Sequence, residues 1–429
     1  MKKDSEPAML KRFLIILVLT LALVMLIIGL PVSGESDTDN SPVLLWSDTI
    51  GAHKTVVSCS SDGRYILAGS DTGILRMYNR NGAVLWTFNR DGKAVRSVAI
   101  SGNGDYAGAV FLNEEGPSSS AYGEVAVFNR NGSVAWIDSS DPTVELISIS
   151  DDSTTVYVSA ARILYSYSQN GTMLGKNTTD GRIWTLDSSR DGSYAAAGSK
   201  ITGNRLMAMR KDSVTAWNYS TKIGFGSADI SPDGGSVAAA GYSHLYLFDR
   251  NGTVLWHYSG STDFTSVAVS DKSGYIITGS QYYARLFDTS GSLLWNYVFE
   301  GYVNDVGISD DGEDIVAGTF RGVSIFDREG NVLTNYQTQK AVLDISAARD
   351  GETFAAGSVD SVYVFSSHGK ITDDADPDQP EGTTSPTPDT ILPVQQPTPQ
   401  QSPVPGGLAT ITPVIVGIFV LIKRENEKP

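Results

Sequence analysis

The sequence predicts an all-β fold, a ring of eight four-stranded antiparallel blades: a β-propeller. Three observations lead there. A turn signature and an aromatic hairpin alternate through residues 43–371, the unit recurs about every forty residues, and an orphan strand at one end of the repeat matches a missing strand at the other. Gly supplies 43 of the 429 residues, β-forming side chains are frequent, and no long amphipathic helical pattern occurs.

The first signature is a turn of S-x-D-G type followed by an apolar run that ends near Gly-Ser. It reads SSDGRYILAGS (60–70), SGNGDYAGAV (101–110), SDDSTTVYVSA (150–160), SRDGSYAAAGS (189–199), SPDGGSVAAAG (231–241), SDKSGYIITGS (270–280), SDDGEDIVAGT (309–319) and ARDGETFAAGS (348–358). The second is an aromatic strand, a tight turn and a strand ending in Trp: MYNRNGAVLW (77–86), VFNRNGSVAW (127–136), LFDRNGTVLW (247–256) and LFDTSGSLLW (286–295), with degenerate copies at 166–175, 208–217, 324–334 and 364–371. Asn-Gly between alternating apolar residues marks a hairpin, because both residues tolerate positive φ in a type I′ turn. Trp or its equivalent stands at 46, 86, 136, 175, 217, 256, 295 and 334, giving gaps of 40, 50, 39, 42, 39, 39 and 39. Several short strands per forty residues are what a propeller blade requires.

The strand before each S-x-D-G turn alternates with period two. Counting back from the turn Ser, position −1 is Cys59, Ile100, Ile149, Ser188, Ile230, Val269, Ile308 and Ala347, and position −3 is equally apolar. Position −2 is small or polar (Ser58, Ala99, Ser148, Asp187, Asp229, Ala268, Gly307, Ser346), which suits the innermost strand, where blades crowd around the axis. Cys59, the only cysteine, takes an apolar slot and reads as core filling; alone, it excludes an intrachain disulfide, a CxxC site and a multi-Cys metal centre. The eighth unit lacks its Trp-ended fourth strand, whereas VLLW (43–46) precedes the first unit. The expectation is that Val43–Trp46 completes the last blade and closes the ring, removing free sheet edges.

With SSDGRYILAGSDTGILRMYNRNGAVLW (60–86) on the page, the chain resembles the eight-bladed quinoprotein-dehydrogenase-like propellers and, more loosely, the WD-repeat propellers, whose Trp-Asp and Gly-His dipeptides it lacks. The resemblance implies that Trp46, Trp86, Trp136, Trp217, Trp256 and Trp295 pack between neighbouring blades. It also raises quinoprotein oxidoreductase as an alternative activity, but the vicinal disulfide of the best-known members is impossible with one Cys, and no Asp base stands beside a Glu/Asn calcium pair. No sialidase-type Asp box, phosphate-binding loop or nucleophile elbow occurs. The four histidines (His53, His244, His257, His368) read as belonging to different units without partners, and DDADPD near Asp373 lacks EF-hand spacing, so no metal and no cofactor is expected.

Binding is expected on the rims. Position −5, at the channel mouth, varies in chemistry as recognition would require, and Arg96, Glu145, Trp184 and Asn304 are the candidate ligand or partner contacts. The loop FLNEEGPSSSAYG (111–123) is about ten residues longer than its counterparts. Lys+Arg 32 against Asp+Glu 48 leaves a net charge of −16, which rules out a nucleic-acid footprint.

The flanks point to a membrane. Residues 1–12 are a basic n-region, 13–30 an uncharged apolar run that reads as a signal peptide or signal anchor, and 31–42 a linker. Residues 372–406 form a Pro/Thr/Asp-rich disordered stalk, 407–422 a C-terminal membrane segment and 423–429 a charged tail, a layout that resembles archaeal cell-surface proteins. Sequons at Asn131, Asn170, Asn177, Asn218 and Asn251 are candidate N-glycosylation sites, three of them on hairpin turns where geometry already favours Asn. The expectation is a membrane-anchored, extracytoplasmic propeller that acts as a non-catalytic binding or assembly scaffold for a protein or a cell-surface polymer; the third alternative is a structural component of a surface layer.

Overall fold

The computed structural model describes residues 41–113, 123–200, 205–212, 214–271 and 274–369. Both candidate membrane segments and the stalk lie outside them; among the described residues no helix is long and apolar enough to cross a membrane.

Among the described residues, thirty-two strands form eight four-stranded antiparallel sheets. The innermost strands are β2 (Thr55–Cys59), β6 (Lys93–Ile100), β10 (Val144–Ile149), β14 (Ile183–Ser188), β18 (Ser227–Ile230), β22 (Phe264–Val269), β26 (Val303–Ile308) and β30 (Val342–Ala347), and they begin blades 1 to 8 in that order. In blades 1 to 7 the next three strands follow outward in sequence. Blade 8 is completed by β1 (Val43–Thr49), which pairs antiparallel with β32 (Ser361–Ser366) in the register Leu44 to Phe365 and Thr49 to Ser361. The predicted closure by Val43–Trp46 is therefore present, and the strand runs three residues further, to Thr49.

The antiparallel order defines two faces. S-x-D-G and Asn-Gly turns lie on one, the hairpin face; the turns between second and third strands and the connections between blades lie on the other, the connection face. The chain enters at Ser41 and leaves at Gly369 side by side on the hairpin face, where the Gly369 N–H donates to the Ser41 carbonyl.

Eight apolar clusters fill eight wedges, one between each pair of neighbouring blades. Six wedges carry a tryptophan clasp. Trp86 on the outermost strand of blade 1 donates its indole N–H to the Arg130 carbonyl in the hairpin turn of blade 2 at 2.9 Å and lies over Phe128 at 5.4 Å between ring centroids. It also covers Gly132, where φ is +80° and an added Cβ would come within 2.6 Å of the ring. Trp46, Trp136, Trp217, Trp256 and Trp295 repeat this geometry on the turns at Arg80, Gln169, Arg250, Thr289 and Arg328. Gly in the turn thus serves positive φ and the close approach of the neighbouring indole together.

Two wedges lack the clasp because Gly175 and Thr334 stand where Trp would be. They lie between blades 3 and 4 and between blades 7 and 8, diametrically opposite one another. The ring is accordingly two clasped half-rings, blades 8-1-2-3 and blades 4-5-6-7.

The long loop predicted at 111–123 is shorter than its sequence suggests. Residues up to Asn113 extend β7 (Tyr106–Asn113) and those from Gly123 extend β8 (Gly123–Asn129), with Phe111 fully buried; 114–122 lie outside the described residues. Buried Glu124 anchors this long hairpin, pairing with Arg90 at 2.5 Å and Lys93 at 2.8 Å.

Candidate functional site

The innermost strands surround a channel of about 450 Å³. Their inner edges have no partner strand, so every second N–H points at the axis and needs an acceptor. On blades 1, 3, 5, 6 and 8 the preceding blade supplies it from a side chain. Asp344 Oδ2 accepts from Val57 N–H at 2.7 Å, Ser346 Oγ from Cys59 N–H at 2.9 Å, Asp187 from Ile230 N–H at 3.2 Å, Asp229 from Val269 N–H at 2.7 Å and Asp305 from Ile345 N–H at 2.8 Å. Thr185, Ser97 and Ser227 do the same for Ala228, Ile147 and Val267. Crowding alone, the sequence-based reason for small residues at −2, is therefore incomplete. Eight residues at −2 or −4 are short and also accept a hydrogen bond, whereas Ala99, Ala268 and Gly307 at −2 are short alone. Cys59 is buried and its thiol faces the Ser346 carbonyl at 3.6 Å; burial, first among the influences, pushes it up to about 12, which keeps it unreactive.

Burial raises the pKa of Asp229, and the neighbouring Asp187 carboxylate raises it further. Burial likewise raises Asp305, and it pushes Asp344 to about 7, with the Asp305 charge adding to the rise. Lys54 sits near this second pair; burial and then the charge of Arg96 lower its pKa.

At the hairpin-face end, two arginines and three aspartates reach across the channel. Arg190 of blade 4 pairs with Asp151 of blade 3 at 3.3 Å, Asp271 of blade 6 at 3.8 Å and Asp310 of blade 7. Arg349 of blade 8 pairs with Asp151 at 3.1 Å and Asp310 at 3.5 Å. The network joins the four blades that flank the two clasp-free wedges, and reaches blade 6 through Asp271. An ion pair on each side thus spans an interface that has no tryptophan.

The connection-face mouth is built differently. Six innermost strands carry a β-bulge, one residue from the start in five of them and three residues from the start in β6, and the bulged residue is the one at position −5: Arg96, Glu145, Trp184, Thr265, Asn304 and Leu343. A bulge leaves its residue out of the ladder and re-aims its side chain. Glu145 forms a two-point ion pair with Arg182, at 2.6 and 3.0 Å, and the Arg182 guanidinium lies 5.5 Å from the ring centroid of Trp184. Asn304 donates its amide to the Val342 carbonyl of blade 8 at 2.7 Å, and Thr265 makes the matching bond to Val303 at 2.5 Å. Arg96 is exposed. Two of the four candidates, Glu145 and Trp184, are thus brought together through Arg182, while Asn304 spends its amide on the next blade.

Sequence reading missed most of this face. Among the described residues, five aromatic side chains stand out as exposed: Trp184 (39%), Tyr242 (46%), Tyr282 (41%), Tyr302 (52%) and Phe320 (46%). All five are on the connection face, and all five belong to the half-ring of blades 4 to 7. Phe320 lies on the backbone of Gly301, Arg321 sits 5.4 Å from the Phe320 ring centroid and pairs with Glu300 at 2.6 Å, and a groove of about 340 Å³ runs beside them between blades 6 and 7. The signal was available, since Tyr242 and Phe320 directly follow the apolar runs 231–241 and 309–319, and Tyr282 follows the run 270–280 with one residue between. The exposed aliphatic residues lie elsewhere, mostly on outermost strands: Leu85, Ile137, Leu174, Leu255, Leu294 and Leu333.

The histidine reading needs correction. His244 and His257 belong to one blade, on adjacent strands β20 (His244–Asp249) and β21 (Val254–Ser259), with His244 Nδ1 and His257 Nε2 2.8 Å apart. Among the described residues, no group of three or more His, Cys, Asp or Glu converges as a metal site.

The fold defines the class: an eight-bladed, all-β propeller. A family model described as outer membrane protein assembly factor BamB matches residues 43–222, that is, the closing strand and blades 1 to 4. No curated protein matches the sequence. Among solved structures, Sqt1 from Chaetomium thermophilum is similar at 15% identity with a TM-score of 0.64, over 76% of this chain and 99% of that one. The same protein bound to the N-terminus of the ribosomal protein L10 is similar at 15% identity with a TM-score of 0.60, over 75% and 100%. At that identity the likeness is one of fold.

Proposed function

We propose that this propeller is a non-catalytic scaffold that grips a protein partner on its connection face, through the aromatic arc of blades 4 to 7. The single observation that carries the reading is that every strongly exposed aromatic side chain among the described residues lies on that face and in that half-ring. Aromatic residues and Arg are enriched where proteins bind one another, because a large rigid ring buries much area at little entropic cost. Arg182 over Trp184 and Arg321 over Phe320 supply that combination, and Arg96 extends the surface across the channel mouth. Sqt1, on the same fold, engages the N-terminus of another protein, and the matching family model is described as an assembly factor.

The two ends of the propeller fit this reading. The first and last described residues, Ser41 and Gly369, both lie on the hairpin face, opposite the aromatic arc. Three sequons, Asn131, Asn170 and Asn251, lie on hairpin-face turns; Asn177 and Asn218 lie on outermost strands. Glycans at these sites would leave the mouth of the channel clear.

Photo-crosslinking tests the proposal. A benzophenone side chain placed at Tyr282 or at Phe320 is expected to capture the same protein in intact cells, whereas one at Asn81, exposed on a hairpin-face turn, captures none of it. Capture from Asn81 with nothing at Tyr282 or Phe320 would overturn the assignment of the face.

A further inference from the structure

On the outer part of blade 5, at its connection-face end, three donor atoms converge. His244 Nδ1 and His257 Nε2 are 2.8 Å apart, and Ser259 Oγ lies 3.1 Å from the first and 3.3 Å from the second. The two imidazoles meet edge to edge, with centroids 5.0 Å apart and planes 14° from parallel, and the Tyr246 ring backs His257 at 4.3 Å and 18°. This is a consequence of register. His257 stands opposite Tyr246 and Ser259 opposite His244, so all four side chains share one side of the sheet.

We infer that His244 and His257, with Ser259 beside them, bind one late first-row transition-metal dication. The edges of the triangle match the separation of adjacent ligands around such an ion, and a point about 2 Å from all three atoms exists just off their plane, the usual length of a metal–imidazole bond. The two nitrogens already aim at each other across a single shared proton. A metal ion replaces that hydrogen bond as each ring turns about its Cβ–Cγ bond to bring its lone pair onto the ion, and the proton moves to the far nitrogen of whichever ring carried it. Two neutral imidazoles favour Cu(II) most, followed by Ni(II) and Zn(II). The pair is solvent-facing, so the ion keeps open positions filled by water, and it lies two residues from Tyr242 of the aromatic arc.

The test is a titration of the full-length chain with Cu(II) alone in a non-coordinating buffer, followed by calorimetry and electron paramagnetic resonance. One Cu(II) per chain is expected, with nitrogen hyperfine structure from two imidazoles. His257→Ala raises the dissociation constant at least tenfold and removes the two-nitrogen pattern, while His53→Ala and His368→Ala leave both unchanged. His257→Gln, which keeps the volume and polarity of the side chain, behaves like His257→Ala, and circular dichroism reports the same fold in each variant. A His257 variant that is folded and retains the wild-type constant and nitrogen pattern would overturn the site, as would loss of the pattern on replacing His53 or His368.

Discussion

Replacing Trp86 with Ala lowers the free energy of unfolding by about 3 kcal/mol, the usual cost of removing a large aromatic side chain from a packed interface. The substitution deletes the tilted ring contact with Phe128, the cover over Gly132 and the bond to the Arg130 carbonyl at once. Its neighbour Leu85 is 41% exposed, and Leu85→Ala stays within about 0.5 kcal/mol. Urea unfolding followed by circular dichroism measures both. Equal effects at the two positions would show that the indole does not hold the wedge.

Asp344→Asn changes how stability responds to pH. In the folded chain, burial holds the Asp344 carboxyl at about 7, whereas in the unfolded chain it ionises near 4. Between those values the folded state carries a proton that the unfolded state has released. The stability tied to this group is therefore complete below about pH 4 and is lost as the pH rises through about 7. Asn cannot ionise, yet its side-chain oxygen still accepts from Val57 N–H. Wild-type protein is expected to lose stability between pH 4 and pH 8, and the variant to lose less. At pH 8 the variant is more stable by about 1 to 3 kcal/mol, since each pKa unit corresponds to about 1.4 kcal/mol. Urea midpoints at five pH values read the difference between the two curves. Parallel curves would place Asp344 in an ordinary, water-like setting.

These effects belong to different layers of the sequence signal. The ring, its period and its closing strand were legible because Asn-Gly turns, S-x-D-G turns and Trp recur at nearly fixed spacing, and each has a local geometric cause. The capping of inner edges was visible only as small residues at −2. Recognising Asp187, Asp229, Asp305 and Asp344 as acceptors requires knowing that the next blade presents an unpaired N–H there. The −5 ring could be listed, but its bulges could not, and Arg182, which ties Glu145 to Trp184, lies in a connection that does not repeat. A unit that runs from Trp to Trp divides His244 from His257, because His257 falls after the boundary at Trp256. The outermost strand of blade 5 continues to Ser259, and pairing in the sheet joins what the count divided.

Closure of the ring by β1 fixes which face is which and where the two ends of the propeller lie, and a cysteine pair examines it directly. Thr49 and Ser361 are register partners 312 positions apart in the chain, with their hydroxyls 3.0 Å from each other. In the Thr49→Cys/Ser361→Cys protein, mild oxidation is expected to yield an intramolecular disulfide in the monomer, identified by mass spectrometry of the linked peptides; buried Cys59 takes no part. A folded monomer whose two cysteines stay reduced, or cross-link only between molecules, would mean that head and tail do not share a blade.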